Sequence, residues 1–398
     1  MRWPHSADHK VTLSVGQNEY YGWTSVSISS DLEKIARDFS VSLTRKKELG
    51  VTSIFSSTFP IKLGDDVSVK IDGKSVVTGY ISKIDVSQSA NDLSISVSGV
   101  SLTGVLNDCT APDGASKSFK QQRVGDIVTA LAKMYDIKVV DNVKNTDKKD
   151  FTLAVDKTIG SAITDIQKNS GLLVTDDENG NLIIIKKDKM EQTSGVIAIG
   201  NNVVSASRSS DLSGRFQKYV AIGQGKNAKG TEATTNAPKA YSEDSAVSRN
   251  RVKVFKINGS VSQADLQKRA DLTCKYLSGA GESIDYEVPG WYDQSGALWK
   301  TGTLIGVKDA LSLGVSENRL MVVKAVSYTL DENGTKTKIT VKPETAYTGT
   351  DYSSSSQAVE KAAKDKADKA KTEKKNSTKK TSGGVGKWTL KSGSGKIG

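Results

Sequence analysis

Through much of its first hundred residues the chain alternates apolar and polar side chains one by one. Val11, Leu13 and Val15 alternate with Thr12 and Ser14, and Phe39, Val41 and Leu43 with Ser40 and Ser42. Leu93, Ile95 and Val97 do the same with Ser94, Ser96 and Ser98. A period of two sends successive side chains to opposite faces of an extended strand. These segments therefore predict an antiparallel sandwich or barrel with one buried and one polar face. Asp72-Gly73, between VSVKI and VVTGY, supplies the positive φ angles of a tight hairpin. One short helix is expected at about 32–38, where Leu32, Ile35 and Ala36 follow the capping candidates Ser30 and Asp31.

The period changes near residue 106. Val124, Ile127, Val128, Leu131 and Tyr135 fall at helical spacing, and IKVV reads as a strand. Ile159, Ala162, Ile163 and Ile166 predict a second helix ending at Gly171, followed by a hairpin turning at Asn179-Gly180. Strand character returns after Val203. Residues 223–250 show no periodicity and read as a mobile loop. A helix is expected over 263–278, capped by Ser262 with Asp265 and stopped by Gly279. Residues 302–343 repeat the layout of 63–100: short strand, turn, long strand, turn, alternating strand. Internal duplication is one explanation, although any two meanders share such a layout. The expected organisation is a β domain over 1–105, an α/β domain over 106–200, a second β domain over 201–350 carrying the loop and helix, and a Lys-rich flexible tail over 351–398.

Charge separates the tail from the body. Residues 360–398 contain twelve Lys and four acidic residues, which accounts for +8 of the formal net charge of +11. A near-neutral body with a basic tail differs from a DNA-reading domain, whose Lys and Arg cluster on a folded face. The tail reads as solubilising disorder, a weak phosphate binder or a segment that folds on a partner. No stretch is apolar enough for a membrane span or a secretory h-region.

Catalytic constellations are not found. The two histidines, His5 and His9, lie in a terminus expected to be loose, and the cysteines Cys109 and Cys274 are too few for a zinc module or disulfide framework. Cys274 shares a helical stripe with Leu266 and Ala270, which points to a buried thiol. Asp65-Asp66 and Asp176-Asp177 could serve a hydrolase, but neighbours on a strand face opposite ways, so they read as solvated turn acids. GQGKNAKG at 223–230 lacks phosphate-loop spacing, and the sequon-like Asn258-Gly-Ser and Asn333-Gly-Thr read as turns. Trp23, Trp291 and Trp299 each lie near a turn glycine, as core residues or as aromatic anchors at a subunit interface.

In order across about 8–349, the segments YYGWTSVSISSDLEKIARDFSVSLT, VTGYISKIDV, SVSGVSLTGVLNDCTAP, RFQKYVAIGQG, VPGWYDQSGALWKTGTLIGVKD and LDENGTKTKITVKPETAY resemble the Mu-like phage baseplate hub family, the central hub of contractile tails. The resemblance implies a mainly β chain with an α/β middle, containing two tube-type antiparallel β-barrel domains. It implies a homotrimer around an axial channel, in which six quasi-equivalent units join a hexameric tail tube to a trimeric central spike. Other baseplate proteins are expected partners, with tape-measure protein and DNA passing through the channel. The expected location is the virion tail baseplate, assembled in the host cytoplasm, with no enzyme activity, cofactor, metal or membrane span. Carried onto this chain, the family's aromatic and glycine positions are Trp23, Phe39, Gly79, Gly99, Gly290, Trp291 and Trp299, with packing and subunit-contact roles. The competing readings are a tail-associated peptidoglycan hydrolase and a nucleic-acid-binding protein acting through the basic tail.

Overall fold

The computed structural model describes residues 9–46, 61–89, 92–144, 148–168, 170, 172–186, 190–223, 237–257, 262–311 and 315–348. The Lys-rich tail, Asn258 and most of 223–236 lie outside the described residues. The amino-terminal strands are Val11–Val15 (β1), Asn18–Tyr20 (β2), Ser25–Asp31 (β3), Asp38–Lys46 (β4), Asp66–Ile71 (β5), Lys74–Gln88 (β6) and Asp92–Ser101 (β7). The α/β middle comprises Val105–Asp108 (α1), Ser118–Arg123 (β8), Val124–Lys133 (α2), Val139–Asp141 (β9), Lys148–Thr152 (β10), Ile159–Lys168 (α3), Leu172–Asp176 (β11) and Leu182–Lys186 (β12). There follow Glu191–Ala198 (β13), Ser205–Ser210 (β14), Lys218–Ile222 (β15), Lys239–Glu243 (β16), Val252–Lys256 (β17) and Gln263–Ala280 (α4). The last elements are Glu282–Pro289 (β18), Thr303–Asp309 (β19), Val315–Asp331 (β20), Gly334–Pro343 (β21) and Thr345–Thr348 (α5).

The mainly β class with an α/β middle holds, and the two β regions are two units of one thirteen-stranded sheet. Unit 1 pairs in the order β3-β4-β7-β6-β5-β1, and unit 2 in the order β14-β18-β21-β20-β19-β13. The units match rung by rung. In β6 and β7, Ile81 faces Gly99 and Lys83 faces Ser98, leaving Ser82 as an extra bulged residue. In β20 and β21, Val323 faces Val341 and Ala325 faces Thr340, leaving Lys324 in the same place. Phe39 faces Gly99 as Ile284 faces Val341, and Ser27 faces Ser40 as Ser207 faces Asp285. A shared meander layout does not require a shared bulge, so this agreement is evidence of duplication. The units differ at their outer strand: β1 joins β5 antiparallel, whereas β13 joins β19 parallel. β13 therefore belongs to the main sheet although it precedes residue 200.

The turns form as their chemistry requires. Asp72 (φ 48°) and Gly73 (φ 82°) are both left-handed, the conformation of the tight hairpin between β5 and β6. The α/β middle has its own core, with Ile127, Val128 and Leu131 of α2 and Ile159 and Ile163 of α3 packed over β11 and β12. β15–β17 form a separate small sheet backed by α4 through Ala221, Leu266 and Ala270.

Three expectations need correction. Residues 32–37 form an irregular turn, not a helix, and Asp38 already begins β4. Their apolar spacing serves two cores, since Leu32 packs with Val322 and Tyr347 while Ile35 packs with Leu106 and Ile159. Asp31 fixes the turn by accepting from the Glu33 N–H at 2.9 Å. Within 223–250, Lys239–Glu243 is a strand, whose one fully buried side chain, Ala240, is too small to produce a visible hydrophobic alternation. Finally, α4 runs through Gly279 to Ala280, with Gly281 as its C-cap. A Cβ on Gly279 would lie 2.4 Å from Thr345 Oγ1, so this glycine admits the chain at α5 and does not stop the helix.

Candidate assembly site

The two units meet edge to edge. β3 pairs antiparallel with β20 from Val26 opposite Leu330 to Asp31 opposite Ala325. On the buried face of this seam lie Val26, Ile28, Val326 and Tyr328, all within one apolar cluster that contains residues of both units. At its end the bulged residue Lys324 places Nζ 2.7 Å from Asp31 Oδ2, and its carbonyl accepts from the Leu32 N–H at 2.7 Å. Burial alone would lower the Lys324 pKa, but Asp31 and Glu33 raise it above the ordinary value, so the cation is held at this seam.

A second contact between the units is aromatic. Trp291 is fully buried, and its Nε1–H points to the Thr329 and Lys336 carbonyls at 3.0 and 3.1 Å. His9 stacks on Trp291 with ring centroids 5.2 Å apart, and its Nδ1 lies 2.9 Å from Asp72 Oδ2. The Tyr292 hydroxyl donates to the same carboxylate oxygen at 2.7 Å, while the Lys10 N–H donates to Asp72 Oδ1 at 2.8 Å. Burial pushes the Asp72 pKa up, yet the bonds from Tyr292, Lys10 and His9 outweigh it and hold the carboxyl below its ordinary value. His9 is therefore an ordered clasp residue, contrary to its expected surface role; His5 lies outside the described residues.

A third seam joins unit 1 to the α/β middle. Arg37 Nε donates to Asp176 Oδ1 at 3.2 Å, and its remaining guanidinium nitrogens donate to the Val76 and Asp176 carbonyls. Asp176 is buried, not solvated as expected, and burial drives its pKa up against the opposing pull of Arg37. Asp177 keeps the turn role, accepting from the Asn179 and Asn181 N–H groups. A cleft of about 240 Å³ beside this seam is lined by Arg37, Lys74, Glu178, Trp299, Lys300 and Tyr328. Glu178 lies 3.7 Å from Lys300, so the two form an ion pair in its lining.

The other sequence-selected positions serve packing within the chain. Trp299 is 4% exposed and its carbonyl accepts from the Tyr328 hydroxyl, while Trp23 packs half-buried against the main core. Phe39 lies over Gly99, and a Cβ on Gly79 would fall 1.9 Å from the Val100 carbonyl oxygen. Gly290 adopts φ 73°, and its carbonyl accepts from the Thr337 hydroxyl at 2.6 Å. Cys274 is buried on α4. Among the described residues, no group of three or more His, Cys, Asp and Glu side chains could hold a metal ion, and no helix is long and apolar enough to cross a membrane.

Repeated β units joined by backbone seams define a mainly β protein with a duplicated architecture. Family models agree in order along the chain. The Mu phage baseplate assembly protein GpP-like amino-terminal domain matches residues 10–101, the second domain of gp44-like baseplate hub proteins matches 103–186, and the fourth domain of the GpP assembly protein matches 262–349. The chain belongs to the Mu-like phage baseplate hub family. It is 25% identical over 350 residues to the baseplate hub protein gp44 of Escherichia phage Mu, covering 85% of this chain and 88% of that one. A 43 kDa tail protein of prophage MuSo2 from Shewanella oneidensis superposes with a TM-score of 0.72 at 26% identity, covering 85% of this chain and 99% of that one. A tail protein from Neisseria meningitidis MC58 superposes with a TM-score of 0.68 at 22% identity, covering 86% and 98%.

A signal missed in the sequence is the repeat at the seam itself. SVSISSDL at 25–32 and SASRSSDL at 205–212 share six of eight residues, and they form the equivalent strands β3 and β14. Comparing only the meanders leaves this out.

Proposed function

We propose that the protein is a structural adaptor in which three copies form a ring of six quasi-equivalent β units around an axial channel. The ring joins a hexameric tail tube on one face to a trimeric central spike on the other. The observation that carries this reading is the shared strand order, register and bulge of the two units. A threefold ring of duplicated chains presents six similar edges, which reconciles sixfold and threefold partners without any change of partner symmetry. Other baseplate proteins complete its surroundings, tape-measure protein and DNA pass through the channel, and the protein acts in the virion's tail baseplate after assembly in the host cytoplasm. Its contribution is shape and backbone pairing, with no enzyme activity.

Solution mass tests the stoichiometry: the 42.5 kDa chain is expected at ~130 kDa, and a monomer that stays monomeric with tube and spike proteins present contradicts the ring. A peptidoglycan zymogram is expected to remain blank, and a cleared band would instead support the hydrolase reading.

A further inference from the structure

The duplication fixes more than the number of units, because the chain contains one copy of the unit-to-unit joint and the separated halves of a second. In the internal joint, β3 of unit 1 lies on the far half of β20 of unit 2. The counterpart of β3 is β14, which ends the sheet with β18 on one side and all six side chains exposed. The counterpart of the far half of β20 is the stretch 83–88 of β6. The near half of β6 pairs with β5 only as far as Tyr80, and Ile81 then closes on Asp65 and Gly64. Beyond that point the strand continues along β7 with its side chains exposed except Ile84, which packs half-buried on the main core; Val86 is 60% exposed. Two strand edges of matching length thus stand at opposite ends of the repeated architecture.

We propose that β14 of one copy adds antiparallel to residues 83–88 of β6 in a second copy of this chain, reproducing in trans the β3–β20 joint. This inference rests on the trimeric reading and names the surfaces that build it. The observed register transfers directly. Ala325 opposite Asp31 becomes Lys83 opposite Asp211, Ser327 opposite Ser29 becomes Asp85 opposite Ser209, and Tyr328 opposite Ile28 becomes Val86 opposite Arg208. The first of these rungs sets opposite charges across the joint, as Lys324 and Asp31 do in the internal one. The pairing also covers exposed ladder edges, which otherwise invite irregular association. A head-to-tail contact of this kind closes into a ring or continues as a filament. With an internal joint of the same geometry alternating with each trans joint, three chains make six equal steps.

Cysteine pairs placed on one rung test the register, since directly opposed Cα atoms in an antiparallel ladder lie about 4.5–5.5 Å apart, within disulfide range. In the full chain, Ser29→Cys with Ser327→Cys calibrates the rung by forming an intrachain disulfide. Asp85→Cys with Ser209→Cys is expected to oxidise into covalent dimers and trimers on a non-reducing denaturing gel, with the trimer as end product. Each single variant, which retains Cys109 and Cys274, is expected to remain monomeric there. A shifted pair, Asp85→Cys with Ala206→Cys, is expected to link several-fold less. Monomers on that gel together with a native trimeric mass would overturn the proposed joint while leaving the trimer intact. A ladder extending past the trimer would support the joint and overturn the ring of three. A native monomer with no cross-link, with tube and spike proteins present, would overturn both.

Discussion

At the residue scale, Gly99 and Phe39 show how one unit substitutes volume for another. Their counterparts in unit 2 are Val341 and Ile284, so unit 1 sets an aromatic ring against a glycine on the rung where unit 2 sets two aliphatic side chains. A Cβ on Gly99 would lie 2.5 Å from the Phe39 ring and 2.2 Å from the Tyr80 carbonyl oxygen. Gly99→Ala is therefore expected to cost ~2 kcal/mol through overpacking. Phe39→Ile should recover part of that loss in the double variant, and the measurement is a urea-unfolding double-mutant cycle. Strictly additive losses would show that the backbone approach, not the ring, excludes the side chain. Asp72 offers a pH test. Its folded-state pKa is depressed, so its contribution is complete above the ordinary carboxylate value and disappears as pH falls through the lowered one. Asp72→Asn, which tolerates the left-handed turn, is expected to lower stability by ~1 kcal/mol at neutral pH through weakened hydrogen bonds. Melting curves from pH 7 down to 3 should flatten in that acid window; an unchanged pH profile would remove Asp72 as the titrating group.

At the element scale, alternation and turn chemistry were enough to locate most strands, α2, α3 and the Asp72-Gly73 and Asn179-Gly180 hairpins. They failed where one segment serves two neighbours. Residues 32–38 carry a helix-like apolar spacing because Leu32 and Ile35 turn into different cores, a distinction that only tertiary structure makes. The same segment contains Arg37, whose role was illegible because its partner Asp176 lies far along the chain and resembles a turn acid. The burial of Asp176 determines the size of the effect. Removing a partner from a buried pair leaves a desolvated charge, and such losses run about 3–5 kcal/mol. Arg37→Ala is expected to fall in that range in chemical denaturation, and Arg37→Lys to recover only part because an ammonium cannot reproduce the three-way fork. Equal stability of the Lys variant and the wild type would mean that charge alone, not geometry, holds unit 1 to the α/β middle. His9 was also missed, since a lone histidine near a terminus has no sequence pattern that announces an aromatic partner almost three hundred residues away.

At the scale of the whole molecule, the distribution of cores predicts how the chain comes apart. Val26, Ile28 and Phe39 of unit 1 lie in the same apolar cluster as Tyr286, Trp291 and Val341 of unit 2. Neither unit can lose its strands without exposing the other's buried face, so the two are expected to melt in one transition despite their separation in sequence. The α/β middle has a core of its own apart from Ile35, and it is tied to unit 1 through Ile35, the Leu32–Leu173 contact cluster and the Arg37 seam. Apart from the small β15–β17 sheet with its own core, calorimetry of the full chain should accordingly resolve at most two transitions, and Arg37→Ala should move them apart by loosening the tie. The larger transition carries a further signature if the chains assemble, because association couples unfolding to protein concentration. Its midpoint should rise as concentration increases tenfold, while the α/β transition stays fixed. Separate melting of units 1 and 2 would contradict the shared core, whereas a single sheet transition insensitive to concentration would leave that core standing and count against subunit pairing through the sheet.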